Sequence, residues 1–299
     1  MRYFLDNNAL INLYFKKKNN LTIYRKTSVS KLVIAEILKI YDWEKDYEQR
    51  REQLKFIIKN DINIIWKSFD SIISKSFCGR ELWVNSPISI FNYAPSIFID
   101  LKLMYNALVN SESLDDFLMN ISKNSKIFQS YMTEKLSADS SGKYKSIMTE
   151  LIKAFYNSSF IQDNMLNYDK YLLANKKPYE MVKKIKNDFI NTIIEHSSGS
   201  KILSNAKVKN LSRTMMKEYD NSIDLFIKCK SKYIFDKDDE NIILRNDGID
   251  LLYLLYVNIK DGDIFVTDDK NLRNLIKSIS DTSTINVNEY LNINNEYGT

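Results

Sequence analysis

The sequence predicts an α/β protein with a mainly parallel central sheet, flanked by helices and interrupted by a long helical segment. A short apolar run followed by a polar turn and a helix occurs near both ends of the chain, as "RYFLDNNAL" and as "IFVTDDKNLRNLI". Between the ends, apolar residues recur with helical spacing and strand patterns are scarce. Only 6 Gly and 3 Pro occur among 299 residues, which favours long helices over an all-β fold.

The first part of the chain has the pattern with which an α/β domain begins. The predicted elements up to residue 66 are a strand at 2–5, a turn at 6–8 and helices at 9–15, 31–41 and 46–66. Ser28 or Ser30 is a candidate N-cap for the second helix, because a serine hydroxyl can accept from free backbone N–H groups. The third helix is charged in its first half and apolar in its second half.

The middle of the chain, residues 67–205, is predicted as an all-helical insertion. Polar stretches at 137–143 and 197–200 interrupt its helical patterns and are interpreted as loops. Helices continue beyond it, and the apolar helix "GIDLLYLLYVNIK" precedes a strand that begins at Ile264. The predicted organisation is a first α/β half at 1–66, the insertion at 67–205 and a second α/β half at 206–299.

The composition excludes several classes of protein. Hydrophobic residues make up 44% and charged residues 27%, which is ordinary for a globular protein. No run approaches 18 consecutive apolar residues, so we expect no membrane contact, and the start lacks the apolar core of a signal peptide. Cys78 and Cys229 are the two cysteines, far apart in sequence, and imply no disulfide framework. We therefore expect a cytoplasmic protein.

Charge is divided unevenly along the chain, although the net charge is only +5. Residues 1–66 contain 13 Lys and Arg against 8 Asp and Glu, whereas residues 205–299 contain 13 against 16. An acidic site with basic surroundings would suit a nucleic-acid phosphate chain that is brought to metal ions. An ordinary solvated surface explains the same numbers.

Carboxylates occur at four places where packing alone would not put them. They are Asp6, Glu36, Asp250 with Asp247 one turn earlier, and Asp269 with Asp268 beside it. An ionised Glu36 inside the apolar helix "LVIAEILKI" is costly unless something binds it. Parallel strands bring the residues that follow them to one edge of the sheet, and like charges gathered there need a cation. Ligation by oxygen alone selects Mg²⁺ or Mn²⁺ over Zn²⁺.

At these positions the chain resembles the PIN-domain nucleases. "FLDNNALINLY" is similar to the family's opening strand end, and "SKLVIAEIL" to the helix with its glutamate. "DLLYLLYV" and "IFVTDDKNL" look like the third and fourth acidic positions, and "INVNEYL" is similar to the closing strand and the segment after it. The resemblance covers about residues 1–66 and 210–299. It departs from the family because 213 residues separate Glu36 from Asp250, where a minimal member has tens.

The resemblance implies a metal-dependent endonuclease, most often on RNA and frequently a toxin or an antiviral-defence protein, with cleavage of DNA left open. Carried over by position, the acidic residues are Asp6, Glu36, Asp250 and Asp269, and the supporting polar residues are Asn8 and Thr267. Asp247 could replace or assist Asp250, because both lie on one helical face. Of the adjacent pair, Asp269 is assigned as the ligand and Asp268 as the cap of the following helix, with the reverse left open.

The expected chemistry is phosphodiester hydrolysis with Mg²⁺ or Mn²⁺ and no side-chain nucleophile. Asp6 and Asp269 are expected to bind metal directly and Asp250 to share one. Glu36 is expected to bind metal or a metal-bound water, and Asn8 and Thr267 to orient the carboxylates. The insertion is expected to gate the site, bind nucleic acid or mediate contact with a protein partner or a second copy.

A competing hypothesis is a PIN-fold scaffold or nucleic-acid-binding protein that no longer holds metal. Other candidate residues have ordinary explanations. His196, the only histidine, is predicted to stabilise a helix C-terminus, and the cysteines to be packed thiols. The lysines at 16–18 could touch phosphate or could equally form a solvated helix end. Trp66 and Trp83 could stack on bases, and "DKDDE" at 236–240 is interpreted as a solvated loop.

Overall fold

A computed structural model gives the architecture of most of the chain. The structure describes residues 1–18, 21–38, 43–81, 96–124, 159–175, 177, 180–198, 203–237, 247–281 and 283–297. The predicted loop at 137–143 and Trp83 lie outside these residues, as does most of the acidic run at 236–240. Within them, no helix is both long enough and apolar enough to cross a membrane.

A sheet of five parallel strands lies at the centre of the fold, in the order β3-β2-β1-β4-β5. The strands are β1 Tyr3–Leu5, β2 Thr27–Ser30, β3 Asn63–Ile65, β4 Ile264–Val266 and β5 Thr284–Ile285. The sequence prediction of an α/β fold with a parallel sheet is thereby confirmed. Tyr3, Phe4 and Leu5 of the central strand β1 are all buried. A continuous apolar run is typical of a parallel strand that is covered on both faces.

Two strands, β2 and β3, were not predicted from the sequence. The segment "TSVS" of β2 is polar in composition yet buried throughout, because the strand lies between β1 and β3. The predicted helix at 46–66 ends at Lys59, and β3 follows it. The proposed capping of the second helix is also wrong: Ser28 and Ser30 lie in β2, and the Ser30 hydroxyl is buried without a hydrogen bond.

Helices precede and follow the strands along the whole described chain. The helices are α1 Asn7–Phe15, α2 Lys31–Leu38, α3 Trp43–Lys59, α4 Phe69–Cys78, α5 Ser96–Asn110, α6 Leu114–Asn124, α7 Ser159–Ala174, α8 Met181–Ser198, α9 Asn205–Glu218, α10 Asp224–Phe235, α11 Asp247–Leu252, α12 Lys270–Lys277 and α13 Val287–Tyr297. Short 3₁₀ turns cover Thr22–Lys26, Tyr253–Tyr256 and Ile259–Asp261. The alternating run near the C-terminus gives only the two residues of β5, after which the chain is helical.

Among the described residues between 67 and 205, every regular element is a helix. These helices pack on the elements that carry the candidate acids: α5 contacts α2 and α3, and α7 contacts α11. Their buried side chains, such as Leu108 and Ile193, join the same apolar core as Phe4 and Phe265 of the sheet. The boundaries assigned to the insertion stay a prediction.

The order in which strands are added to the sheet reverses at β1, while all strands stay parallel. The first half adds β2 and β3 on one side of β1, and the second half adds β4 and β5 on the other. The register pairs Leu5 with both Val29 and Val266, so Asp6, Ser30 and Thr267 follow at one level. Open α/β sheets bind their ligands at the carboxyl ends of the strands, at such a reversal.

Candidate functional site

Asp6 is the residue at which the site begins. Its backbone N–H extends the pairing of β1 with β4 by donating to the carbonyl of Val266 at 3.2 Å. Its carboxylate is the N-cap of α1, with Oδ1 accepting from the N–H of Ala9 at 2.7 Å. The other oxygen, Oδ2, accepts a short hydrogen bond from the hydroxyl of Thr267. The end of β1 and the start of α1 thus hold this carboxylate inside the protein.

The environment of Asp6 raises its pKa from about 3.8 to about 7. Burial is the largest cause, because it penalises the charged form of the carboxylate. The hydrogen bonds from Thr267 and Ala9 lower the pKa, while the negative charges of Glu36 and Asp268 raise it further. The two hydrogen bonds therefore do not offset the desolvation and the like charges around this group.

Thr267 joins the ends of β1 and β4. Its side chain is buried, and its Oγ1 donates to Asp6 and accepts from the N–H of Asp269 at 3.0 Å. Its carbonyl accepts from Arg273 Nη1 at 2.7 Å. These bonds fix Thr267 on three sides, which is the geometry expected of a residue that orients the Asp6 carboxylate.

Asp268 lies beside Asp6 and connects two helices. Its Oδ2 accepts from Asn12 Nδ2 of α1 at 2.6 Å, and its Oδ1 accepts from the backbone N–H of Val287 at the start of α13 at 3.1 Å. Asn12 therefore makes the contact with an acidic side chain that the sequence analysis expected of Asn8, whose side chain is exposed. The missed signal is helical spacing, since Asn12 lies one turn beyond Asn8 on the same face.

Asp269 has the structural role that the sequence analysis assigned to Asp268. It is the N-cap of α12, and its Oδ1 accepts from the N–H of Leu272 at 2.9 Å. The assignment of Asp268 as the cap is wrong, because its carboxylate is bound to α1 and α13 instead. The two neighbours bind different partners, and of the two it is Asp268 whose charge raises the pKa of Asp6.

The charges of Glu36, Asp6 and Asp250 all act on the buried hydroxyl of Tyr253. The pKa of Tyr253 is raised well above its usual value by burial first, and then by the charges of Glu36, Asp6 and Asp250. The hydroxyl faces Glu36 without a hydrogen bond of good geometry. Tyr253 was not a sequence candidate, because its apolar helix predicted a packing role. The fold thus brings three of the predicted acids into one region.

Other candidates are placed as follows. The side chain of Asp247 and that of His196 lie outside what the structure describes, although helices α11 and α8 run through these residues. Cys78 and Cys229 are free thiols, and burial raises the pKa of Cys229 to about 12. A thiol with so high a pKa is unreactive at neutral pH.

The donor atoms at this edge suit a hard divalent cation in their chemistry. The acids whose charges act on Asp6 are Glu36 and Asp268, which offer carboxylate oxygens, and the orphaned Ser30 hydroxyl lies at the level of Asp6. Within the described part of the chain, however, no group of three or more such side chains stands ready to hold an ion. The carboxylates would have to turn from their present hydrogen bonds to converge on one cation.

Comparison with known proteins adds no relative. No protein-family model, curated protein or solved structure matches the chain. The class of protein that the fold defines is therefore an α/β protein with a five-stranded parallel sheet and an acidic edge at its strand reversal.

Proposed function

We propose that the chain is a Mg²⁺- or Mn²⁺-dependent endonuclease of the PIN-like type that hydrolyses phosphodiester bonds of RNA. The observation that carries the proposal is the buried Asp6 carboxylate at the end of β1, whose pKa is raised to about 7 by burial and then by the charges of Glu36 and Asp268. Burying like charges together destabilises a fold unless a cation is recruited. The location at the strand reversal, where α/β proteins bind ligands, supports the same conclusion.

The protein's own residues have defined tasks in this proposal. Asp6 would hold the ion, with Thr267 fixing the orientation of its carboxylate and Asp268 as the neighbouring donor. Glu36 and Asp250, whose charges both act on Tyr253, would complete the donor set from α2 and α11. A bound divalent cation activates water as a nucleophile and neutralises charge on the phosphate and the leaving oxygen. Asp269 is less suited to direct ligation than the resemblance implied, because it caps α12.

The role as a toxin or in antiviral defence rests on the resemblance alone, as does the preference for RNA over DNA. A cytoplasmic site of action agrees with two free cysteines. The helices of the predicted insertion would position α2 and α11, since α5 and α7 pack against them. Through its remaining surface the insertion would contact a protein partner or a second copy.

A second candidate is a non-catalytic scaffold or nucleic-acid-binding protein. It is favoured by the hydrogen bonds that already engage Asp6, Asp268 and Asp269 within the protein. It is favoured also by the lack of a ready metal group among the described residues. In such a protein the carboxylates would serve only as caps and connectors.

Cleavage and metal binding separate the two candidates. Labelled single- and double-stranded RNA and DNA are incubated with wild type and Asp6→Asn in EDTA, Mg²⁺ or Mn²⁺. If the protein is a nuclease, wild type should cleave RNA with metal but not in EDTA, and Asp6→Asn should not cleave in either. Metal should raise the Tm of wild type but not of Asp6→Asn, because bound cations relieve repulsion in the folded site. If millimolar Mn²⁺ produces neither cleavage nor a Tm shift, the scaffold is the correct candidate. A matched control is Asp281→Asn, which removes an exposed carboxylate.

A further inference from the structure

An exposed basic surface with one exposed aromatic ring adjoins the acidic site. We define the Phe15 surface as Phe15, the lysines at 16–18, and Arg25 with Lys26, all of which are exposed. Phe15 is 59% exposed, the highest value among the large apolar side chains of the described part of the chain. An exposed lysine cluster alone is ordinary, and so is a single exposed ring. Here the two occur together: the ring of Phe15 is exposed on one side, contacts Tyr14 on the other with the ring centroids 5.3 Å apart, and is followed directly by the three lysines.

The surface is continuous with the acidic site through helix α1. Asn12 of α1 donates to Asp268, and Phe15 and Lys16 lie on the same face about one turn further along. Lys16 Nζ donates to Asn288 Oδ1 at 2.9 Å, next to Val287, whose N–H donates to Asp268. Phe15 and Lys16 thus lie about one helical turn along α1 from Asn12, the residue that binds the Asp268 carboxylate.

The lysine-rich end of α1 is held in a defined conformation. The N–H of Lys17 donates to the carbonyl of Tyr14 at 2.9 Å, and that of Lys18 to the carbonyl of Leu13 at 3.3 Å, which closes the helix. Lys17 has a φ of 51°, a left-handed conformation that glycine adopts more readily than lysine. A lysine therefore stands at a position where helix stability alone would favour glycine.

The turn that carries Arg25 and Lys26 is attached to the same place. The Tyr24 hydroxyl donates to the carbonyl of Lys18 at 2.7 Å, and this 3₁₀ turn also contacts α13. Among the described residues, Lys16, Lys18 and Arg25 have no ion pair with an acidic side chain. Their charge is therefore directed to solvent, or to a partner of opposite charge.

We infer that the Phe15 surface binds a single strand of nucleic acid, with one base stacked on Phe15 and adjacent phosphates on Lys16 and Lys18. An aromatic face among cations matches a chain that alternates flat bases with negative phosphates, and base–aromatic stacking does not depend on sequence. In a duplex the bases are stacked on each other, so the ring of Phe15 would have no partner. The inference rests on the proposed function, because the bound strand would be the substrate of the adjoining acids.

Binding is measured in EDTA, where a metal-dependent cleavage cannot interfere, by the fluorescence anisotropy of labelled oligo(U) and oligo(dT). Phe15→Ala should weaken binding roughly 5- to 150-fold, the range that stacking of one base provides, and Phe15→Trp should restore it. The matched control is Phe235→Ala, which removes another exposed ring, at the end of α10, and should leave binding unchanged.

The phosphate contacts are tested by salt dependence. The double variant Lys16→Ala, Lys18→Ala should reduce the slope of log affinity against log salt concentration by about 1.4, since each phosphate contact to a single strand contributes about 0.7. Phe15→Ala should leave this slope unchanged. The control Lys207→Ala, Lys209→Ala removes two exposed lysines of α9 and should leave both slope and affinity as in wild type.

Several results would overturn the inference: no binding by wild type, equal binding by Phe15→Ala, or equal losses in Phe15→Ala and Phe235→Ala. Duplex binding with the same dependence on Phe15 would also overturn it. Tighter binding of a poly-glutamate peptide than of oligo(U) would assign the surface to an acidic protein partner instead. Binding that depends on Phe15, without cleavage, would support the Phe15 surface and contradict the proposed nuclease activity. Cleavage together with binding that does not depend on Phe15 would support the nuclease activity and contradict the Phe15 surface.

Discussion

Acidic residues lie at both ends of the paired strands β1 and β4, and the two ends differ in the groups that bind these carboxylates. At the amino ends, Arg2 and Asp263 form a two-pronged ion pair, with Nε and Nη2 of the arginine donating at 3.1 and 2.9 Å. The N–H of Asn258 also donates to Asp263, at 3.1 Å. At the carboxyl ends, the donors to Asp6 and Asp268 among the described residues are a hydroxyl, a side-chain amide and backbone N–H groups.

The difference separates an acid whose charge is neutralised by a basic side chain from acids that are bound by neutral donors. The Asp263 carboxylate is fully buried and its charge is neutralised by a partner of opposite sign. Within the described residues, neither Asp6 nor Asp268 has an ion pair with Lys or Arg. A basic side chain neutralises the acid at the amino ends of the two strands. At the carboxyl ends the described residues provide no such side chain, so a cationic ligand could take its place.

The largest expected effect is on cleavage and distinguishes the two ends directly. Asp6→Asn should lower the cleavage rate by about 10³-fold, because a metal ion supplies several kcal/mol of transition-state stabilisation. Asp263→Asn should leave the rate per folded molecule near that of wild type, because it lies at the opposite edge. Initial rates on labelled RNA, normalised to the folded fraction, make the comparison. Similar losses in both variants would show that general damage to the sheet is being measured.

The pH dependence of stability is the next largest effect. The folded-state pKa of Asp6, about 7, exceeds the unfolded value of about 3.8. The folded state therefore binds this proton more tightly, so its contribution is complete below pH 4 and is lost as pH rises through 7. In EDTA, the free energy of unfolding should fall across this window by on the order of 4 kcal/mol from this group.

Urea unfolding of wild type and Asp6→Asn at a series of pH values measures this contribution. The difference between the two proteins should grow in favour of Asp6→Asn as pH rises from 4 to 7. Asp281→Asn, at an exposed carboxylate, should follow wild type throughout. A constant difference between wild type and Asp6→Asn would mean that Asp6 titrates alike in the folded and unfolded chains.

A smaller effect is expected at the amino ends of the strands. Arg2→Ala should lower the free energy of unfolding by about 2 kcal/mol, because it leaves the buried carboxylate of Asp263 without its charged partner. The arginine is half-exposed, which keeps the loss below that of a fully buried pair. Arg213→Ala on α9, at an exposed arginine, is the control for urea unfolding. A loss no greater than the control's would show that water compensates Asp263.

The smallest effect separates the adjacent acids Asp268 and Asp269. Asp269→Ala should lower the free energy of unfolding by about 1 kcal/mol, the usual loss for a helix N-cap, and leave most of the cleavage activity. Asp268→Asn should reduce cleavage more than Asp269→Ala does, since Asp268 is the neighbour of Asp6. Unfolding curves and initial rates are measured on both variants. Greater loss of activity in Asp269→Ala would return the ligand role to Asp269.

Part of the site could be anticipated because its signals are local. Asp6 and Thr267 each follow an apolar strand directly, and parallel strands bring such positions together. The exchange of roles between Asp268 and Asp269 could not be anticipated. Both are one or two residues from the start of α12, and the choice depends on Asn12 and Val287, which are far away in sequence.

The sequence by itself determined the α/β class, the apolar strand β1 and the acids that follow the strands, because strand periodicity and helix patterns are short-range properties. The central position of β1 came from the tertiary structure. Only the tertiary structure decided that the polar segment "TSVS" is a buried strand and that Tyr253 stands among Glu36, Asp6 and Asp250. The same holds for the neutralised amino end and the uncompensated carboxyl end of β1 and β4. The physical reason is that burial and electrostatic neighbours arise from contacts between distant segments, which a local pattern of residues does not contain.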